Sequence, residues 1–143
     1  MSLDILAVHD QITAKLRSEI SQDVYETAVP EDVKISHGAT GLFNPYVVIT
    51  YGDMVEASGS AGIISTRYNM GNSYCIISCV GPTERSSRQV ANLVRDALVG
   101  FAATDSGEMR LAGGRNYIAS ESNAGPNKYV ADLNFIFPVN TVW

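Results

Sequence analysis

Apolar residues recur along this chain with two different periods, and the switches between them mark out its elements. Ile5, Val8, Ile12, Leu16 and Ile20 repeat at spacings of three and four, while Asp10, Gln11, Lys15, Arg17 and Glu19 take the other faces. That stripe predicts an amphipathic helix from about Ser2 to Ser21, with Asp4 in the first turn, where the helix dipole favours a carboxylate. The period then shortens to two. A short strand is expected over Asp23–Val29, a turn at Pro30-Glu31-Asp32, a brief extended piece over Val33–Ser36 and a loop through HGATGLFN. Pro45 opens the run Tyr46–Tyr51, whose β-branched and aromatic residues suit a strand, and Gly52-Asp53 closes it. Ala61–Met70 alternates as a second strand. Gly71-Asn72-Ser73 then predicts a tight turn into a buried third strand, Tyr74–Val80, which completes an antiparallel meander.

Gly81-Pro82 ends that third strand, and Thr83 and Glu84 have the chemistry of a helix start: a capping hydroxyl and a carboxylate at the positive end of the dipole. Val90, Leu93, Val94, Ala97, Leu98 and Phe101 follow as one apolar face, predicting a second helix that ends near Ala103. Residues 108–128, with glycines at 113, 114 and 125 and Pro126, read as loop with a strand around Arg115–Ala119. Between Lys128 and Val139 the pattern is strict again. Tyr129, Ala131, Leu133, Phe135 and Phe137 alternate with Val130, Asp132, Asn134 and Ile136, the pattern of a strand packed on one side. One arrangement buries all these stripes together: an α+β single domain spanning 1–143, a mixed, mainly antiparallel sheet with both amphipathic helices packed on one face.

Composition adds a hint of assembly. Hydrophobic residues make up an ordinary 45% of the 143 residues, but charged residues only 17%, short of the usual ~25%. A small domain with so little charge has a surface that something covers, most simply further copies of itself as a homo-oligomer. The net charge of −5 comes with ten basic residues scattered along the chain, which disfavours coating of nucleic acid but is compatible with a channel that nucleic acid traverses without sticking. The acidic N-terminus lacks the pattern of a secretory signal, and no apolar run reaches membrane-spanning length. Cys75 and Cys79 lie on one face of the third strand, roughly 13 Å apart at ~3.3 Å per residue. That is too far for a disulfide, and they read as reduced core thiols of a protein folded in the cytoplasm.

No residue pattern announces catalysis. His9, just off the first apolar stripe, reads as a solvated surface histidine, and His37 has no partner donors at metal spacing. Neither Gly59-Ser60-Ala61-Gly62 nor Gly113-Gly114-Arg115 ends in the lysine a phosphate loop requires. No catalytic, cofactor-binding or metal-binding residue is therefore assigned. Arg110, Arg115 and Tyr117 interleave base and aromatic in the 108–128 segment. Nucleic acid would find only a thin footprint there, and contact with another protein subunit fits as well, since Arg and Tyr are enriched in interface cores.

In order and kind these elements resemble the tail terminator, or tail completion, proteins of long-tailed, lambda-like bacteriophages. The likeness runs through an amphipathic N-terminal helix, a strand opened by proline (PYVVITYGD), a hairpin, a strand ending in Val-Gly-Pro, a long helix and a last alternating strand (YVADLNFIFPV). The resemblance covers nearly the whole chain and lies in pattern, not in a diagnostic motif. It implies a non-enzymatic virion subunit, made in the host bacterial cytoplasm, that forms a ring, typically hexameric, on the last ring of tail-tube protein. Such a ring stops tube growth, presents a surface to the head–tail connector and lets the genome pass through its lumen. Under that resemblance the hairpin from Asp53 to Asn72 and the 108–128 segment are the reaching parts. Met54, Val55, Ile63, Tyr68 and Met70, with the C-terminal Val142 and Trp143, become candidates for contact with a neighbouring subunit or the tube. Ordinary core packing is the alternative for each apolar member. A head-closure or head–tail joining protein of the same neck region, or a small soluble enzyme or binding module, would fit the same size and charge.

Overall fold

Along residues 46–51, 75–81 and 131–139, alternate residues are apolar and buried, and that alternation organises the molecule. The computed structural model describes residues 5–29, 42–52, 55–56, 68–104, 106–119 and 128–142. Their order is α1 (Ile5–Glu19), β1 (Asp23–Glu26), β2 (Tyr46–Tyr51), β3 (Val55–Glu56), β4 (Tyr68–Gly81), α2 (Glu84–Leu98), β5 (Arg110–Ala119) and β6 (Lys128–Val142). The strands form one sheet in the order β1-β2-β4-β6-β5, with β3 paired to β4. Only the β1–β2 pairing is parallel, so the sheet is mixed and mainly antiparallel, as the periodicity predicts.

Both helices cover the same face. Val47 and Ile49 of β2, Cys75, Ile77 and Cys79 of β4, and Leu133, Phe135 and Phe137 of β6 point toward them. Val8, Ile12 and Leu16 of α1, with Val90, Val94 and Leu98 of α2, meet that layer to make the core. The two cysteines are buried and free, and burial pushes both thiols up to about 12, which leaves them protonated packing groups. A smaller apolar cluster of Phe43, Tyr46, Val80 and Val130 sits on the opposite face.

Four expectations change. The turn expected at Gly71-Asn72-Ser73 does not form: β4 runs straight through these residues, paired with β6 without a break from Tyr68↔Val142 to Gly81↔Tyr129. Fourteen cross-strand pairs outweigh the local turn preference of three residues, and Ser73 is fully buried. The meander therefore reduces to β2, the short β3 and one long β4; residues 61–67 of the expected middle strand lie outside the described residues, as does the extended piece at Val33–Ser36. Pro138 sits inside the extended β6, where proline is normally excluded. Its carbonyl accepts from Gly107 N at 2.8 Å on the side away from β4, so its missing N–H also faces that side, beyond the end of β5.

The second change concerns α2, which ends at Leu98, not near Ala103; Gly100, at φ +84°, turns the chain in a conformation that glycine tolerates best. Its buried face is also rotated from the expected stripe. Ser87, Val90, Ala91, Val94 and Leu98 are buried, whereas Leu93 stays 44% exposed. The start of α2 follows the sequence. Thr83, in extended backbone, accepts from Ser86 N at 3.1 Å, and Ser86 Oγ accepts from Thr83 N at 3.1 Å, a reciprocal cap. Thr83→Ala removes half of it and is expected to lower stability by about 1 kcal/mol, read as a shift of the urea midpoint at unchanged slope.

Third, His9 is not a solvated histidine. Its ring stacks on Tyr51 at 3.9 Å, and its backbone carbonyl accepts from the Tyr51 hydroxyl at 2.8 Å. The same hydroxyl lies 2.6 Å from that of Thr13, which donates to Glu26 at 3.0 Å. Burial lowers the His9 pKa from 6.5, against the opposing pull of Asp10 and Glu26. Because the folded chain resists the proton more than the unfolded chain, stability is full above pH ~6.5 and declines as pH falls toward the folded pKa. The difference in denaturation midpoint between wild type and His9→Gln should therefore change between pH 7.5 and pH 5, with the variant losing less. Equal losses would refute this linkage.

Fourth, the strand expected around Arg115–Ala119 begins five residues earlier: β5 occupies Arg110–Ala119, ten residues in all, while 120–127 lie outside the described residues.

Candidate interaction surface

β5 is the sheet's long edge. It pairs with β6 and, among the described residues, with no other strand, and its residues from Arg110 to Ile118 are all exposed. An edge of this length invites pairing with another chain unless something blunts it. The blunting here is partial. A bulge between Leu111 and Gly113 shifts the register, and Gly113 takes φ +141°, a value that side chains disfavour. Gly114 is required for a different reason: a Cβ there would collide with the Asp132 carbonyl oxygen of β6.

Cross-strand partners share a face of the sheet. Arg110, Arg115 and Tyr117, opposite Ile136, Asp132 and Val130, therefore belong to the face away from the helices. Arg115 lies 3.6 Å from Asp132 and stacks over the Tyr117 ring at 4.7 Å. Asp132, whose side chain is only 11% exposed, also accepts from the Ser78 hydroxyl at 2.6 Å. Tyr117 has its pKa raised, first by burial and then by the Asp132 charge. The structure thus joins Arg115 and Tyr117 into one contact, with Arg110 further along the same face.

The other candidates gather elsewhere. Val55 in β3 sits beside the end of β4 that holds Tyr68 and Met70, and Tyr68 pairs with Val142 of β6. These four backbone positions share one end of the sheet, distant from Tyr117. Met54, Ile63 and Trp143 lie outside the described residues.

On the helix side of β5 is a feature the sequence reading passed over. Arg85, Arg88, Asn92 and Arg95 follow each other at three and four residues along α2, so three of the supposedly scattered basic residues form one exposed stripe. With Asn116 of β5 they line a cleft of about 370 Å³ floored by Ala131 and Leu133. Arg95 bonds to Asn92 at 2.9 Å and Arg88 reaches Glu84 only at 3.9 Å. A second cleft of about 200 Å³ continues past Asn116 to Ile118 and Tyr129. Helical spacing alone would have revealed the stripe, but not the strand beneath it. Among the described residues no group of three His, Cys, Asp or Glu is placed to hold a metal ion, and no helix is long and apolar enough to cross a membrane.

The fold has a counterpart among solved structures. Over 94% of its length the chain superposes on 92% of a chain from the structure titled "Virion of native gene transfer agent (GTA) particle", with a TM-score of 0.52 and 18% sequence identity. At that identity the likeness is one of fold. No family model matches the chain, and no curated protein does.

Proposed function

We propose that the chain is a non-enzymatic structural subunit of a phage-type virion, and more specifically the ring that caps the head-proximal end of a tail tube. The observation that carries this reading is the end-to-end fold likeness to a chain of a gene transfer agent virion. The tail-capping role itself rests on the resemblance of the element order to tail terminator proteins. The low charge and the exposed ten-residue edge of β5 support a subunit whose surface is used in assembly. In this role the subunits form a homo-oligomeric ring, hexameric by analogy with the family resembled. One side ends polymerisation of the tail-tube protein, and the other meets the head–tail connector. The acidic net charge suits a lumen through which the genome slides without being held.

The test is to add the purified chain to growing tubes of tail-tube protein and follow length and end structure by electron microscopy. Shorter tubes carrying a ring at one end are expected. Failure to bind tubes, with labelling of isolated heads instead, would replace this reading with a head-closure or head–tail joining role.

A further inference from the structure

We propose that the edge of β5 and the arginine stripe of α2 above it receive an acidic, extended segment of a second copy of this chain, head to tail. It rests on the reading of the chain as an assembling subunit and names the surface and the symmetry by which it assembles.

Three observations converge on this surface. The strand edge offers main-chain donors and acceptors over ten residues, with no second strand partner among the described residues. A strand added there would lie about 4.8 Å beyond β5, and its helix-side residues would come within reach of the α2 arginines. Arg85, Arg88 and Arg95 are exposed, and among the described residues only Arg88 is paired with a carboxylate, weakly and in the open, at Glu84. Finally, Leu111 and Ile118, 38% and 57% exposed, share the helix-side face of β5 at its two ends. An added strand would cover both, so the seat is apolar at its ends and basic in its middle.

Charge selects the occupant. Setting the three stripe arginines aside, the seven remaining basic residues face fifteen acidic ones, so the rest of the chain carries −8. Another copy is thus itself an acidic partner for the seat. Charge also selects the symmetry. If two β5 edges paired antiparallel across a two-fold axis, both helix layers would lie on the same side of the joined sheet, and six arginines would be brought together. That repulsion disfavours the isologous dimer and favours a heterologous contact, the kind that closes into a ring.

The experiment compares the full-length wild type with R85E/R88E/R95E by light scattering and sedimentation over a range of concentration and salt. Wild type is expected to self-associate, with about ten-fold weaker association between 0.05 and 0.5 M salt. Its β5 amides should become protected from hydrogen exchange on assembly. The triple variant should associate at least about 100-fold more weakly while keeping the wild-type circular dichroism and Tm, because all three side chains are exposed. A14E/S18E, on the exposed side of α1 and away from β5, separates stripe-specific loss from a general effect of added acid and should retain most association. A monomeric wild type, an unaffected triple variant, equal loss in both variants, or an assembly that leaves β5 amides unprotected would each overturn the proposal. Tube capping is scored separately. Self-association through β5 without capping would leave this inference standing and remove the tail-terminator role, and capping by the triple variant would do the reverse.

Discussion

Phe135→Ala is expected to lower the free energy of unfolding by about 3–5 kcal/mol, a large part of the 5–15 kcal/mol typical of a domain. Phe135 is fully buried in the middle of β6, opposite Cys75 on one side and Leu111 on the other, beneath the layer where both helices meet the sheet. Removing its ring leaves a void flanked by β4 and β5, and paired backbone cannot collapse to fill it. Urea unfolding would show a much lower midpoint with little change in slope. Leu93→Ala is the matched control. It deletes a side chain from the apolar stripe that the sequence displays on the second helix, yet Leu93 is 44% exposed and the expected change is within about 0.5 kcal/mol. A large loss from Leu93→Ala, or a small one from Phe135→Ala, would contradict the helix and strand orientations described above.

Gly114→Val is expected to detach β5 from the sheet. The new side chain would meet the Asp132 carbonyl oxygen, with Asp132 C at 3.3 Å and Leu133 Cα at 3.6 Å behind it. All three belong to β6 backbone, so no rotamer change relieves the collision. Overpacking of this kind costs about 1–3 kcal/mol. Here the strain falls on one edge strand, so its effect should be local. Hydrogen exchange should quicken by roughly ten-fold or more across 110–119, while the amides of β2 and the centre of β4 keep their protection. If the edge of β5 is the seat for another copy, the same variant also loses self-association. Uniform loss of protection over the whole sheet would show instead that β5 and the core unfold as one unit.

Much of the fold was legible because its elements are long and strictly periodic. The core faces of β6 and α1 follow directly from alternation and from the three-four spacing of Val8, Ile12 and Leu16. The cap at Thr83 needed only its hydroxyl and Ser86, three residues on. The failures have separate causes. Gly71-Asn72-Ser73 carries turn chemistry, but the long partner β6 holds those residues extended. β5 was obscured by its own glycines, which mark a bulge and a close backbone approach, not a loop. His9 lies off the apolar stripe and is covered only because Tyr51, forty-two residues away, stacks on it.

For the interaction surface the division is similar. Arg115 and Tyr117 were recognisable as interface chemistry, and the structure brings them together over Asp132. The arginines of α2 were visible as residues but not as a site. Their stripe lines a cleft only because β5 lies beneath it, at an edge of the sheet.

By itself, then, the sequence determined the identity of both helices, the buried face of the first, the apolar face of the last strand, the α+β class and the absence of any recognisable catalytic motif. These depend on residues close in the chain, whose spacing is set by the geometry of one helix or one strand. Tertiary structure alone decided that β4 is one strand, that β5 is the long edge, and that three arginines overhang it. Each of those depends on which distant strand lies alongside, and strand pairing is a property of the whole sheet that no local pattern encodes.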